Sequence, residues 1–313
     1  MKNKILFWVT DFSTKSGEGL LAIRFINDLK SNTNLKVIRI DNRKLISKFK
    51  KNTITHKYIL PVLGIWNLWL AYFKGYKTCY VNYLPLWNFL IFFILPPKTI
   101  LGPITGTISK HRSFVLKRIL EIISRLIINI RYKKCLFANN FYKSLFTGHY
   151  HNYIIKNLNF KIYKKKKITY DFLFYYRKQY DKELQYLNLI INLTKLNFKI
   201  AIIGDKLLDK NVSNFGYVNT KKLELIMKKT KSAINNKENL YSFFAQKCLI
   251  NNLSVFYNDE FIKYEKLKIK NFYPIPYNNL KMAINLILRK KNLSILKNQN
   301  IKLDFNNYFF YDP

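Results

Sequence analysis

The sequence predicts an α/β protein built from two tandem Rossmann-like, doubly wound parallel-sheet domains with a cleft between them. Three observations carry this. Short β-branched and aromatic runs alternate with segments of helical period. The alternation comes in two series, separated by the lysine-rich stretch "KIYKKKKITY" at 161–170. The length, 313 residues, suits two domains that each bury a core of their own. Strands that alternate with helices form a parallel sheet covered on both faces. The expected domains are 1–165 and 166–313, the second ending in a helical tail at 279–300.

In the first series, "KILFWVT" (4–10) reads as a buried strand, followed by the glycine-containing loop "DFSTKSGEG" (11–19) and a helix over 20–31. "LKVIRID" (35–41) and "KTCYVNYL" (77–84) are the next strands. "KTILGPITG" (98–106) reads as a strand ending in a Gly-Pro-rich loop. Apolar residues every three to four positions predict a helix over 113–132, and "KCLFANN" (134–140) closes the series. In the second series, strands are expected at 170–177, 198–205, 231–235 and 253–259. Helices are expected at 182–196, 221–230 and after Ser242, which is placed to cap one.

The formal net charge of +38 suggests an anionic partner. The excess is mostly lysine, accompanied by many Asn, Ile, Tyr and Phe, the residue set that an AT-rich genome encodes. Compositional bias is the first reading, an anionic membrane surface the second, and nucleic acid the last, since no nucleic-acid-binding motif is present. Cys79, Cys135 and Cys248 lack the spacing of a zinc site or a disulfide framework, which points to a reduced, cytoplasmic protein. The start, "MKNKILFWVTDFSTKSGEG", reads as a first strand and not as a secretory signal. The apolar stretches 58–73 and 83–97 fall short of the roughly 20 residues a spanning helix needs. They read as buried core helices, with a helix lying in the bilayer interface as the alternative for Trp66, Trp69 and Tyr72.

Ligands of parallel α/β sheets bind beyond the carboxyl ends of strands, so the loops there are the informative ones. Gly17, Glu18 and Gly19 join the first strand to the first helix, as a phosphate-approaching loop or an ordinary tight turn. Arg177 ends the first strand of the second domain and Lys182 opens the next helix. Two cations there could neutralise a diphosphate, the arginine bidentately. His111, between Lys110 and Arg112, offers an acceptor-phosphate contact or a solvated turn.

The order strand–Arg177–x4–Lys182, "IIGD" (202–205), "GYV" (216–218), helix, Glu238–x7–Gln246 resembles the donor-binding domain of glycosyltransferase family 4 and its relatives, which have the GT-B fold. "GPITG" (102–106) is similar to the Gly-Pro-rich loop of many members. The resemblance implies a glycosyltransferase that moves a sugar from a nucleotide-sugar to a glycan or lipid-linked acceptor in cell-surface polysaccharide or lipopolysaccharide assembly. It implies retention of anomeric configuration and neither metal nor cofactor, the nucleotide-sugar being a co-substrate. Arg177 and Lys182 would hold the diphosphate and stabilise its developing charge, and Glu238 would bond the donor sugar's hydroxyls. Gln246, in place of the family's second glutamate, would face the ribose. Gly17, Glu18, Gly19, Gly204, Tyr217, Val218, Tyr241 and Ser242 complete the donor side. Asn82, Gly102, Pro103, Thr105 and His111 form the acceptor side. The enzyme would work in the cytoplasm, docked at the inner face of the membrane.

The sequence departs from the family pattern at several places. Tyr176 and Glu183 stand where members commonly have glycine, "NLYSFF" replaces the glycines after the first glutamate, and Asn82 occupies the stretch where many members carry a histidine. These departures motivate a second reading, a non-catalytic glycosyltransferase-like subunit that binds a glycan or a partner enzyme.

Overall fold

The structure, a computed structural model, describes residues 4–9, 12, 17–32, 36–40, 60–105, 115–137, 145–146, 151–152, 167–177, 184–236, 240, 242–263 and 271–290. The chain divides into two compact units, each built on one six-stranded parallel sheet. The expected border at 165/166 lies outside the described residues.

The first unit runs β1 (Lys4–Trp8), α1 (Gly17–Asn32), β2 (Lys36–Arg39), α2 (Leu60–Phe73), β3 (Lys77–Pro85), α3 (Phe89–Ile94), β4 (Ile100–Thr105), α4 (Val115–Arg131), β5 (Cys135–Phe137) and β6 (His151–Asn152). Its strands lie in the order β2-β1-β3-β4-β5-β6. The period-two alternation of β1 assigns its two faces. Phe7 stacks on Phe25 of α1 on one side. On the other, Leu6 and Trp8 share one core with Leu68 and Ala71 of α2, Phe92 of α3 and Ile128 of α4. The helices α2, α3 and α4 are therefore a single layer on one face of the sheet. α2 comes so close to that face that a Cβ on Gly64 would lie 1.9 Å from the Trp8 indole, which explains a glycine inside a helix.

Three expectations are corrected by the fold of this unit. Residues 60–73 do form a helix, but not a buried one: Val62, Trp66 and Phe73 are 64%, 62% and 76% exposed. The stretch 83–97 is no single helix. Its first residues finish β3, and only Phe89–Ile94 is helical, with Leu90 and Phe93 exposed. In segments this apolar a single asparagine, Asn67 or Asn88, makes no polar face, so hydropathy gave no orientation. The Gly-Pro pair also lies within β4, not in a loop after it. A Cβ on Gly102 would sit 2.5 Å from the Leu136 carbonyl oxygen of β5, and the β4–β5 register shifts between Leu101 and Ile104. Pro103 has no N–H for a ladder and falls in that irregularity.

The second unit runs β7 (Tyr170–Tyr176), α5 (Leu184–Lys195), β8 (Ile200–Gly204), β9 (Val212–Asn214), α6 (Thr220–Lys228), β10 (Thr230–Ile234), α7 (Phe243–Ile250), β11 (Ser254–Asn258), a 3-10 turn (Asp259–Lys263), β12 (Phe272–Ile275) and α8 (Leu280–Lys290). The strand order is β12-β11-β10-β7-β8-β9. Its core joins Phe172 and Phe174 to Tyr186, Ile190, Ile202, Phe256 and Ile287. Three strands were not expected from the sequence: β6, β9 and β12. β6 and β9 have two and three residues, too few for a period. β12 contains Pro274, which argues against a strand in the sequence, and it lies at the sheet edge where proline is tolerated.

Cys79, Cys135 and Cys248 are unpaired and buried, and burial pushes all three thiols up. Among the described residues no helix is long and apolar enough to cross a membrane.

Candidate functional site

The strand order of the second unit reverses direction at β7 and β10. From this neighbouring pair the chain winds outward through β8 and β9 on one side and through β11 and β12 on the other. The loops leaving β7 and β10 diverge at such a point and open a crevice at the strands' carboxyl ends. Arg177 is the first residue after β7, and Asn235 the first after β10.

Arg177 is exposed and is oriented by its own strand. Its Nε–H donates to the Tyr175 hydroxyl at 2.6 Å, and its guanidinium lies 5.2 Å from the Tyr175 ring centroid. Lys182 lies outside the described residues.

Beside Arg177, β8 ends in Gly204 with φ +101°, a conformation in which a side chain is strained. A Cβ there would lie 2.1 Å from the Tyr176 carbonyl oxygen. The close approach lets Asp205 N donate to that oxygen at 2.9 Å, while Gly204 N donates to Gly216 O at 2.9 Å. The "IIGD" and "GYV" segments are thus knitted together at one strand end. Tyr217 donates its hydroxyl to Asp205 Oδ1 at 3.0 Å. Desolvation raises the Tyr217 phenol, the Asp205 carboxylate adds to the rise, and Arg177 pulls the other way. The structure therefore brings Arg177, Gly204 and Tyr217 together. Val218 follows, half-buried, before Asn219 caps α6 by accepting from Lys222 N at 2.9 Å.

On the β10 side the organiser is Asn235, which the sequence reading missed. It is fully buried, and its Nδ2 donates to Leu240 O at 3.1 Å while its Oδ1 accepts from Ser242 Oγ at 2.6 Å. Its backbone N donates to Phe256 O at 2.8 Å, and its carbonyl accepts from the buried Tyr277 hydroxyl. One side chain therefore links the end of β10 to Leu240 and to the cap of α7. Glu238 and Tyr241 themselves lie outside the described residues. Ser242 caps α7 as expected, accepting from Ala245 N at 3.0 Å. Gln246 is one turn in, its N bonded to Ser242 O at 3.0 Å, and its side chain is 2% exposed. A neutral amide avoids the desolvation cost that a carboxylate would carry there. Asn235→Ala should cost about 2 kcal/mol, because it leaves buried polar atoms unmatched. Urea unfolding of the variant checks this; a loss below experimental error would mean the segment is held elsewhere.

In the first unit, Gly17, Glu18 and Gly19 form the first turn of α1 and not the expected loop. The first turn of a helix, like a tight loop, can present backbone N–H groups to an anion. Asn82 is buried: its Oδ1 accepts from Tyr83 N at 2.8 Å and its Nδ2 faces the Tyr80 hydroxyl at 3.4 Å. Gly102, Pro103 and Thr105 belong to β4. His111 lies outside the described residues.

No protein-family model matches the chain, and no curated protein matches it in sequence. Solved structures match it in fold. Sucrose-phosphate synthase from Thermosynechococcus elongatus aligns with a TM-score of 0.61 at 11% identity, over 92% of this chain and 90% of that one. A UDP-GlcNAc 2-epimerase from Methanocaldococcus jannaschii, in complex with UDP-GlcNAc and UDP, aligns with a TM-score of 0.53 at 10% identity, over 96% of both chains. The likeness is one of backbone. The chain has the fold of these proteins, two Rossmann-like parallel-sheet domains of the GT-B type.

Proposed function

We propose that the chain is a glycosyltransferase moving a sugar from a nucleotide-sugar to a glycan or lipid-linked acceptor, with retention and without a metal, in cell-surface polysaccharide or lipopolysaccharide assembly. The observation that carries the reading is the switch point of the second sheet. An exposed arginine, bonded to the Tyr175 hydroxyl, stands at the end of β7, and Asn235 at the end of β10 bonds Leu240 and Ser242, which follow Glu238 in the sequence. Arg177 and Lys182 hold the diphosphate, and their fixed charge stabilises the nucleotide as it leaves. Glu238 binds hydroxyls of the donor sugar, and Gln246 serves the ribose. The epimerase of the same fold, captured with UDP-GlcNAc and UDP, is in keeping with a nucleotide-sugar donor.

Titration with a panel of nucleotide-sugars, combined with donor hydrolysis, tests this. Glu238→Ala should lower turnover with nucleotide affinity kept, and Gln246→Ala should weaken nucleotide binding. If no nucleotide binds and Glu238→Ala changes nothing, the reading fails.

Asn82 favours a second reading, a non-catalytic subunit. Its amide is engaged within its own strand, and neither Asn82 nor the tyrosines beside it is a ready proton acceptor. Nucleotide binding without turnover, together with co-purification of an active enzyme, would select this reading over the first.

A further inference from the structure

Most of the large apolar side chains exposed among the described residues lie on one layer of the first unit, formed by α2, α3 and α4. The layer is continuous. Trp69 Nε1 of α2 donates to Ile94 O of α3 at 2.9 Å. Arg131 of α4 sits 5.8 Å from the Phe93 ring of α3, and the Tyr132 hydroxyl donates to Phe92 O at 2.5 Å.

The orientation of α4 is the telling feature. A helix on a water-facing surface turns its apolar stripe inward. Here Ser124 and Ile128 are buried, while Leu116, Ile119, Ile123, Leu126 and Ile130 point out, Ile130 being 83% exposed. Beside them stand Trp66, Phe73, Leu90 and Phe93 of α2 and α3. This width exceeds the single seam that one partner helix would fill.

Charge decides among occupants. Glu121 is the one acid between residues 60 and 134. Lys74, Lys98, Arg118 and Lys133 are exposed on or beside the helices, and Arg125 and Arg131 are half-buried. A second copy would bring these cations against their own kind, on chains that each carry +38. An anionic bilayer suits both features. Aromatic and aliphatic side chains enter the boundary between headgroups and acyl chains, while lysine and arginine reach lipid phosphates.

We propose that the outward face of α2, α3 and α4 docks the protein on an anionic lipid bilayer, lying in the interface without crossing it. Docking of this kind does not depend on sugar transfer, and its test needs no donor. The full chain is sedimented with vesicles of phosphatidylcholine alone or mixed with phosphatidylglycerol. It should bind the anionic vesicles and, after Trp66→Ser/Phe73→Ser/Phe93→Ser/Ile130→Ser, bind them at least about tenfold more weakly. All four side chains are at least 60% exposed, so the melting curve should be unchanged. The pair Leu208→Ser/Leu225→Ser, exposed in the second unit, should bind as wild type. Undiminished binding by the fourfold variant would mean that bulk charge alone attracts the chain. Failure of the wild type to bind would overturn the proposal too. So would a wild-type dimer that the fourfold variant dissolves, since the face would then be a copy-to-copy interface.

Discussion

Gly204→Ala should destabilise the second unit by about 3 kcal/mol or more, since it combines two separate penalties of about 1–3 kcal/mol each. The first is conformational: at φ +101° the residue sits where side chains are strained. The second is steric, and it is the larger because the obstacle cannot rotate away. The new Cβ would meet the Tyr176 carbonyl oxygen at 2.1 Å, and that oxygen is held by the Asp205 N–H at 2.9 Å. Relief would require β7 and β8 to separate at their carboxyl ends, beside Arg177. Gly216→Ala is the internal control. Gly216 has φ +67°, but a Cβ there would meet nothing within 4 Å, so only the left-handed penalty of about 1–2 kcal/mol applies. Urea unfolding of both variants measures the difference. Equal losses would show that backbone conformation alone sets the requirement and that the strand ends have room to give.

How much of this was legible in the sequence follows from how local each determinant is. Ser242 could be read as a cap because its partner, Ala245 N, is three residues away. The strand at 198–205 could be read because Ile200, Ile202 and Ile203 form a β-branched run ending at glycine. Asn235 could not be read in this way. Its role depends on Leu240, Ser242, Phe256 and Tyr277, and the last of these reaches it from 42 residues along the chain. The only sequence hint was a pair of asparagines directly after a strand, at the point where a ligand loop should start. The outward turn of α4 was equally hidden. The apolar spacing at Leu116, Ile119, Ile123 and Leu126 announces a helix but not which way its stripe faces. The structure answers this by burying Ser124.

Arg177→Ala should lower turnover by about 100- to 1000-fold, the usual loss when a fixed donor aimed at developing charge is removed. The expected size rests on how the guanidinium is held. A flexible cation at an exposed strand end would keep moving with solvent and would stabilise donor and transition state alike. Arg177 is instead held at two points, by the Nε–H···O bond to Tyr175 and by the tyrosine ring beside it. In the proposed transfer, its charge would thereby be in place before the nucleotide begins to leave. Arg177→Lys keeps the charge but cannot reproduce the planar fork, so it should recover only a small part of the loss. Tyr175→Phe keeps the ring and removes the acceptor. It should lower turnover by about tenfold with little change in nucleotide affinity, the mark of a positioning residue. The arginine is exposed, so thermal stability should stay near wild type for both arginine variants. Single-turnover rates with a bound nucleotide-sugar give the comparison. If Arg177→Lys proves as fast as wild type, the guanidinium geometry is irrelevant and the site needs only a positive charge at the end of β7.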